Sequence, residues 1–309
     1  MPRPEGGTLL TRFTRILAAL DASQASRAAF DYALALSRQS GAELIVVHAV
    51  PRRRAIERDA DERLAWTSRL RLRAEHAQLP FSVRIRHGDP TDVVLHQARL
   101  LQPDVIVAGT HQRRGLDRLR IGSVAERIAT RADVPVLLVP QGSQASLRPF
   151  SHVAVAVGFT PSAAPAIERA LGSAAQPDDR VTLLHVVPGF SGGMPPQYYR
   201  HGFAEYQAGL VRDARRRLEQ ALPARRESSA RLETHVLVGD IETEIRDVLS
   251  RIAADLLVVG VSTRGPVSRA LFGSTAARLL RRLRVPMIAV PERAAAVRRA
   301  SGTPDRLAA

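Results

Sequence analysis

The chain repeats itself once, and the repeat fixes most of what it can fold into. Asp104-Val-Ile-Val-Ala-Gly109 is echoed by Asp255-Leu-Leu-Val-Val-Gly260, 151 residues later. The same spacing carries Gly88-Asp89 to Gly239-Asp240, Gly122-Ser123 to Gly273-Ser274, and Val139-Pro140 to Val290-Pro291. Nearer the start of each copy the spacing shortens to 137, where VHAVP (47–51) aligns with LHVVP (184–188). The two spacings differ by 14, so the second copy carries an insertion, in or beside residues 189–203. Copies of this length are duplicated domains rather than solenoid units, and 309 residues suit two domains of ordinary size. The expected division is a first domain over 12–140, a linker over 141–150, a second domain over 151–291 and a tail over 292–309.

Within the first copy, short apolar runs alternate with helical patterns. ILAAL (16–20), LIVVHAV (44–50) and VIVA (105–108) are continuous apolar runs, and PVLLV (135–139) ends the copy with another. Ser82–Arg86 alternates like an edge strand. Between them, helices are expected from about Ser23 to Gly41, over Ala55–His76, over Pro90–Leu101 and over Ser123–Arg131. Leu64, Trp66, Leu70 and Leu72 are the expected buried positions of the second helix. The second copy repeats the strands near Val153–Val157, Val181–Val187, Thr234–Val238, Leu256–Val259 and Met287–Val290. Continuous apolar strands alternating with helices mean an α/β fold whose parallel sheet is covered on both faces. Right-handed crossovers make each copy doubly wound.

Composition excludes several chemistries. There is no Cys, which removes disulfides, cysteine-zinc sites and thiol catalysis. All 45 basic residues are Arg, which removes Schiff-base lysines and the P-loop lysine. The formal charge of +15 raises the question of a nucleic-acid partner. The Arg are spread along the chain without interleaved aromatics, so they read as solvated helix faces. No HExxH, calcium loop or Gly-x-Ser-x-Gly elbow occurs. No run reaches 18 apolar residues and the N-terminus lacks an apolar leader, so a soluble cytoplasmic protein without a membrane partner is expected.

Doubly wound sheets take ligands at the carboxyl ends of their strands, where strand order reverses. Two loops there are suggestive: Asp21-Ala-Ser23 after the first strand, and GTHQRRGLDRLRIGS (109–123) after the fourth. Gly109 lets backbone approach a ligand, and Gly122-Ser123 opens a helix whose free N–H groups suit phosphate. Arg113 and its neighbours can screen phosphate charge, and Asp21 can accept from ribose hydroxyls. The same residues also read without a ligand, as a strand-end turn (Gly109), an N-cap (Ser123) and the cap of the first helix (Asp21). His48 and His185 read as strand-end core histidines, His111 as a ligand contact, and Asp89 and Asp240 as caps. Tyr198, Tyr199, Phe203 and Tyr206 form the richest aromatic patch, at the insertion.

Taken together, ILAALDAS (16–23), VVHAV (46–50), the 109–123 loop and GSVAERIATRADVPVLLVP (122–140) resemble the universal stress protein family. The second copy matches through VAVAVGFT (153–160), LLHVV (183–187) and GSTAARLLRRLRVPMIAVP (273–291). The resemblance implies two five-stranded domains of the adenine-nucleotide alpha hydrolase-like type, paired through their final strands as an internal pseudo-dimer, with further homodimerisation open. It implies ATP as ligand, with or without Mg, and a regulator with an unknown protein partner that is not an enzyme beyond slow hydrolysis. The alternative is a nucleotide-free interaction scaffold. Carried over, the site comprises Asp21, Ala49, Gly109, Gln112, Arg113, Gly122, Ser123 and Val124. The weaker second set is Gly260, Thr263, Gly273, Ser274 and Thr275. The family's phosphate loop reads Gly-x2-Gly-x9-Gly-(Ser/Thr), and here Gln112 and Thr263 replace the middle Gly. Gly158 stands where Asp21 stands in the first copy, and Pro266 stiffens the second loop. Binding is therefore expected mainly in the first domain.

Overall fold

In the computed structural model, the described residues are 13–51, 58–110, 123–146, 150–174, 176–189, 203–222, 230–261, 276, 278–280 and 284–292. The first copy runs β1 (Arg15–Ala19), α1 (Gln24–Ser40), β2 (Glu43–Val50), α2 (Arg58–His76), β3 (Phe81–His87), α3 (Pro90–Leu101), β4 (Val105–Thr110), α4 (Ser123–Arg131) and β5 (Val136–Pro140). The second runs β6 (His152–Ala156), α5 (Ala163–Ser173), β7 (Arg180–Pro188), α6 (Phe203–Ala221), β8 (Arg231–Gly239), α7 (Ile241–Arg251), β9 (Leu256–Val261) and β10 (Met287–Pro291).

The local signals act as expected. Ser23 caps α1, its hydroxyl accepting the Ser26 N–H, and Gly41 closes the helix at φ 69, where a Cβ would be disfavoured. Asp89 and Asp240 cap α3 and α7. The reading of α2 needs correction: Leu64 and Leu72 are 67% and 54% exposed. The stripe that packs is Trp66, Leu70 and Ala74, spaced i, i+4, i+8 and buried. Leu64 and Leu72 lie two residues from that stripe, about 200° around the helix, and so face away from it.

The expected five-stranded halves are joined in one ten-stranded sheet, ordered β3-β2-β1-β4-β5-β10-β9-β6-β7-β8. Each half is parallel within itself, and β5 meets β10 antiparallel, with Leu137 opposite Ile288. These two residues are 151 apart, so they are repeat equivalents facing each other. Antiparallel pairing of one strand with its own copy is what a two-fold axis through the sheet produces. Alternate residues feed two cores, one on each face. Ile16, Leu137, Val153 and Ile288 join the core under α1, α2, α5 and α6. Leu17, Leu138, Ala154 and Met287 join the other, with α3, α4 and α7. Both cores run across the seam.

The axis is marked again outside the sheet. Phe150 stacks on Tyr32 of α1 (5.8 Å between ring centroids), while Arg169 of α5 covers Phe13 at 5.5 Å. Phe13 and Phe150 lie 137 apart, as do Tyr32 and Arg169, so each half presents the aromatic residue two before its first strand to the other's first helix. The Tyr32 hydroxyl donates to the Gln144 carbonyl (3.1 Å). Burial, and next the Asp255 charge, push the Tyr32 phenol up to about 12.

Candidate functional site

The chain leaves β1 for β2 and β3 on one side, then crosses to β4 on the other. The carboxyl ends of β1 and β4 therefore flank the point where strand order reverses. The turn between β1 and α1 is held by Asp21 and Ser26. Asp21 Oδ1 accepts the Ser23 N–H (3.0 Å) and the Ser26 hydroxyl (2.7 Å), while Ser26 Oγ accepts the Asp21 N–H (2.8 Å). The carboxylate is thus oriented, and Asp21 remains exposed at the mouth. Ser26 is the residue that reading by motif misses; its signal is the D-x-S-x-x-S spacing of residues 21–26.

Beside this turn, the β1–β2 ladder ends at Ala19 opposite Val47. β2 runs on along β3 as far as Val50, so Ala49 stands beyond the end of β1, half-buried. Its neighbour His48 is buried, with Nδ1 donating to the Leu20 carbonyl (2.9 Å) and the ring packed on Trp66 at 5.1 Å. His185 repeats the bond, donating to the Val157 carbonyl (2.8 Å). Both histidines tie the second strand of a half to the end of its first.

Gly109, the penultimate residue of β4, is glycine for a reason internal to the fold. A Cβ there would lie 2.5 Å from the Ala25 carbonyl oxygen and 2.6 Å from its carbon. Gly260 has the same neighbour in its own half, where a Cβ would lie 2.7 Å from the Ser162 carbonyl carbon. The first turn of the helix after the first strand leans directly on the end of the fourth strand, and only Gly leaves room. Ser123 is exposed at the first residue of α4, and Val124 is half-buried against the core. Arg127 fixes this helix by donating to the Ser123 carbonyl (3.1 Å) and pairing with Asp89 (3.6 Å). Burial acts to raise the Asp89 carboxyl, but the amides of Asp92 and Thr91 and the Arg127 charge outweigh it and hold it below its ordinary value. Across the mouth, Gln141 donates through its side-chain amide to Gln24 of α1 (2.8 Å).

Gln112, Arg113 and Gly122 lie outside the described residues, as do His111, Thr263, Pro266, Gly273, Ser274 and Thr275. The structure therefore brings together Asp21, Ala49, Gly109 and the start of α4 on the carboxyl side of one half. In the other half, Gly158 is exposed, and the next residue, Phe159, places its ring 4.3 Å from that of His185. Of the aromatic patch, Tyr206 is 59% exposed on α6, and Tyr198 and Tyr199 lie outside the described residues. Among the described residues no three His, Asp or Glu side chains gather as metal ligands, and no helix is long and apolar enough to cross a membrane.

Comparison with known proteins agrees with this architecture. The chain is 31% identical over 84 residues to the stress response protein NhaX of Bacillus subtilis, covering 27% of this chain and 49% of that protein. It is 26% identical over 139 residues to universal stress protein MJ0531 of Methanocaldococcus jannaschii, covering 41% of this chain and 82% of that one. The chain thus spans about half the length of the first relative and most of the second. A solved universal stress protein structure from Archaeoglobus fulgidus superposes with a TM-score of 0.67 at 18% identity, covering 91% of this chain and 98% of that one, and so shares the fold. The family model for universal stress proteins matches the chain twice, over residues 12–140 and 149–291, one match to each copy of the repeat. Two matches spanning both halves make the chain a tandem member of the universal stress protein family.

Proposed function

We propose that the chain is an internally paired, adenine-nucleotide-responsive stress regulator of the cytoplasm, with ATP bound mainly by the first half. The observation that carries this is the oriented, exposed Asp21 carboxylate at the reversal point, beside the stretch of β2 that runs past β1. The residues fit the ligand. Asp21 suits ribose hydroxyls and the backbone at Ala49 suits the base. The first turn of α4, at Ser123 and Val124, carries N–H groups without helical partners, which suits phosphate. Gly122 adjoins that turn in sequence, Arg113 lies in the loop before it, and Gln112 can donate its side-chain amide where the family has bare backbone. Mg would accompany the phosphates. The two halves act as a pseudo-dimer whose second half, lacking a carboxylate at Gly158, is the degenerate partner. Binding rather than catalysis is the role, with hydrolysis slow at most. Order in the phosphate loop would alter a surface read by a protein partner.

Calorimetry with Mg-ATP tests this. The wild-type chain should bind, and Asp21→Ala should weaken binding about tenfold to a hundredfold, the worth of a hydrogen bond to a charged group. A change at Gly158 should leave binding intact. No heat and no thermal shift at millimolar nucleotide would sink the proposal. One observation favours the second reading, a nucleotide-free scaffold: Gly109 and Gly260 are both explained by helix packing, without a phosphate.

A further inference from the structure

Two polar residues that hold the first turn are lost together in the second half. Asp21 and Ser26 correspond, 137 residues on, to Gly158 and Ala163. The α5 N-cap, Ser162, makes no side-chain cap bond there. That turn instead carries Phe159 at φ 50, a backbone conformation that bulky residues avoid. Its ring meets two partners. His185 lies at 4.3 Å with an interplanar angle of 34°, and the Arg217 guanidinium lies over the ring at 4.1 Å.

The first half is built differently at this point. Ala22 stands in the place of Phe159, so no ring enters from the mouth turn. Trp66 packs on His48 directly. One half therefore closes over its histidine with a ring from the helix. The other half inserts a ring from the mouth turn, and a guanidinium from α6 lies over that ring.

We propose that Phe159 is a resident plug: its ring fills a stacking slot between His185 and Arg217, at the carboxyl end of β7, that would otherwise take the planar base of an adenine nucleoside. The slot is built for a flat ring. His185 is fixed by its bond to Val157, and a guanidinium stacks on aromatic faces. The ring packs on the edge of the core but is only half-buried, sits next to an exposed Gly158 and carries backbone strain, so it can be removed without emptying the core. The proposal rests on reading the equivalent mouth of the first half as a nucleotide site.

Adenosine is the probe, because it lacks phosphate and so reports on the base slot alone. Calorimetry on the full chain compares wild type, Asp21→Ala, Phe159→Gly and Phe159→Gly/Arg217→Ala. Phe159→Gly removes both the ring and the strain, and should bind one more equivalent of adenosine than wild type. Removing Arg217 as well should weaken that added site roughly tenfold. Phe159→Ala is the second variant should the Gly form fail to fold. In the wild-type chain, the His185 ring resonances should stay unmoved by adenosine. The plug is refuted if Phe159→Gly takes up no more adenosine than wild type, or if adenosine shifts His185 with Phe159 in place. An adenosine site in Phe159→Gly with none in wild type upholds the plug and removes the first-half reading. One wild-type equivalent that Asp21→Ala abolishes, with none added by Phe159→Gly, does the reverse.

Discussion

Gly109→Ala separates the two reasons for a glycine near the end of β4. The substitution adds one carbon, placed 2.5 Å from the Ala25 oxygen and 2.6 Å from the Ala25 carbon. Non-bonded carbon and oxygen need more than 3 Å, so α1 must retreat from the sheet by at least half an ångström or the strand end must bend away. Both obstructing atoms are backbone in the first turn of α1, so no rotamer change relieves the contact. Overpacking of this kind costs about 3 kcal/mol, which for a chain of this size lowers Tm by roughly 6–12 °C. Gly158→Ala is the control. Its Cβ would meet nothing closer than the Thr160 side chain at 3.9 Å, so it should stay within about 0.5 kcal/mol of wild type. Denaturant and thermal unfolding measure both. If Gly109→Ala unfolds like wild type while Mg-ATP binding disappears, the packing argument is wrong and the glycine serves the ligand.

Four further outcomes follow from the seam and the core. Phe150→Ala should destabilise the chain by about 3 kcal/mol, because a buried ring at the junction of the halves is removed. A double-mutant cycle with Tyr32→Leu should return roughly 0.5–1.5 kcal/mol of coupling between the stacked rings, and no coupling would mean that the stack does not hold the halves together. Tyr32→Phe should cost about 1 kcal/mol through the lost bond to Gln144, read in the same unfolding assay. His152 is buried against Thr182, and burial, then the Arg180 charge, lower its pKa. Its neutral form is favoured in the folded chain, so its contribution is complete above pH about 6.5, the unfolded value, and is lost as pH falls from there through the folded pKa. Stability of wild type should drop across that window, and His152→Gln should flatten the drop.

Most of the fold was legible because its signals are local. Apolar runs give strands, Ser23 and Asp89 give helix starts, Gly41 gives an end, and the spacings of 151 and 137 give the duplication. What was not legible depends on neighbours distant in sequence. The burial of Trp66 and Leu70 but not Leu64 and Leu72 is decided by which face of α2 meets the sheet. Asp104 and Asp255 head the repeated motif, yet spacing says nothing of their work. Asp104 accepts from the Thr14 amide and hydroxyl (2.7 and 2.9 Å), and Asp255 accepts from Ser151 in the same way (2.8 and 2.9 Å). In the candidate site, Asp21 could be picked out by sequence, but not that its partner is Ser26. Phe159 was invisible, since no local propensity places a phenylalanine at positive φ.

The two-fold axis explains why the halves differ where they do. A residue at the seam meets its own equivalent or that residue's neighbours, so a change there is felt twice. Leu137 faces Ile288, and Phe13 and Phe150 each reach across to the opposite first helix. These positions keep their apolar or aromatic character in both copies. The mouth turns follow β1 and β6, which β4 and β9 separate from the seam strands, and the described bonds and ring contacts of Asp21, Ser26 and Phe159 stay within their own halves. A change in one mouth leaves the other untouched, so Asp21 and Ser26 in one copy can stand opposite Gly158 and Ala163 in the other while the sheet remains continuous. Loss of the polar clamp leaves a turn that still has to be fixed, because α5 must keep its first turn against Gly260. The Thr160 and Ser162 hydroxyls, bonded at 2.9 Å, and the Ala163 N–H donating to the Thr160 carbonyl meet that demand. On this argument the second half kept its part in the pairing while its mouth turn lost the carboxylate and gained an aromatic ring.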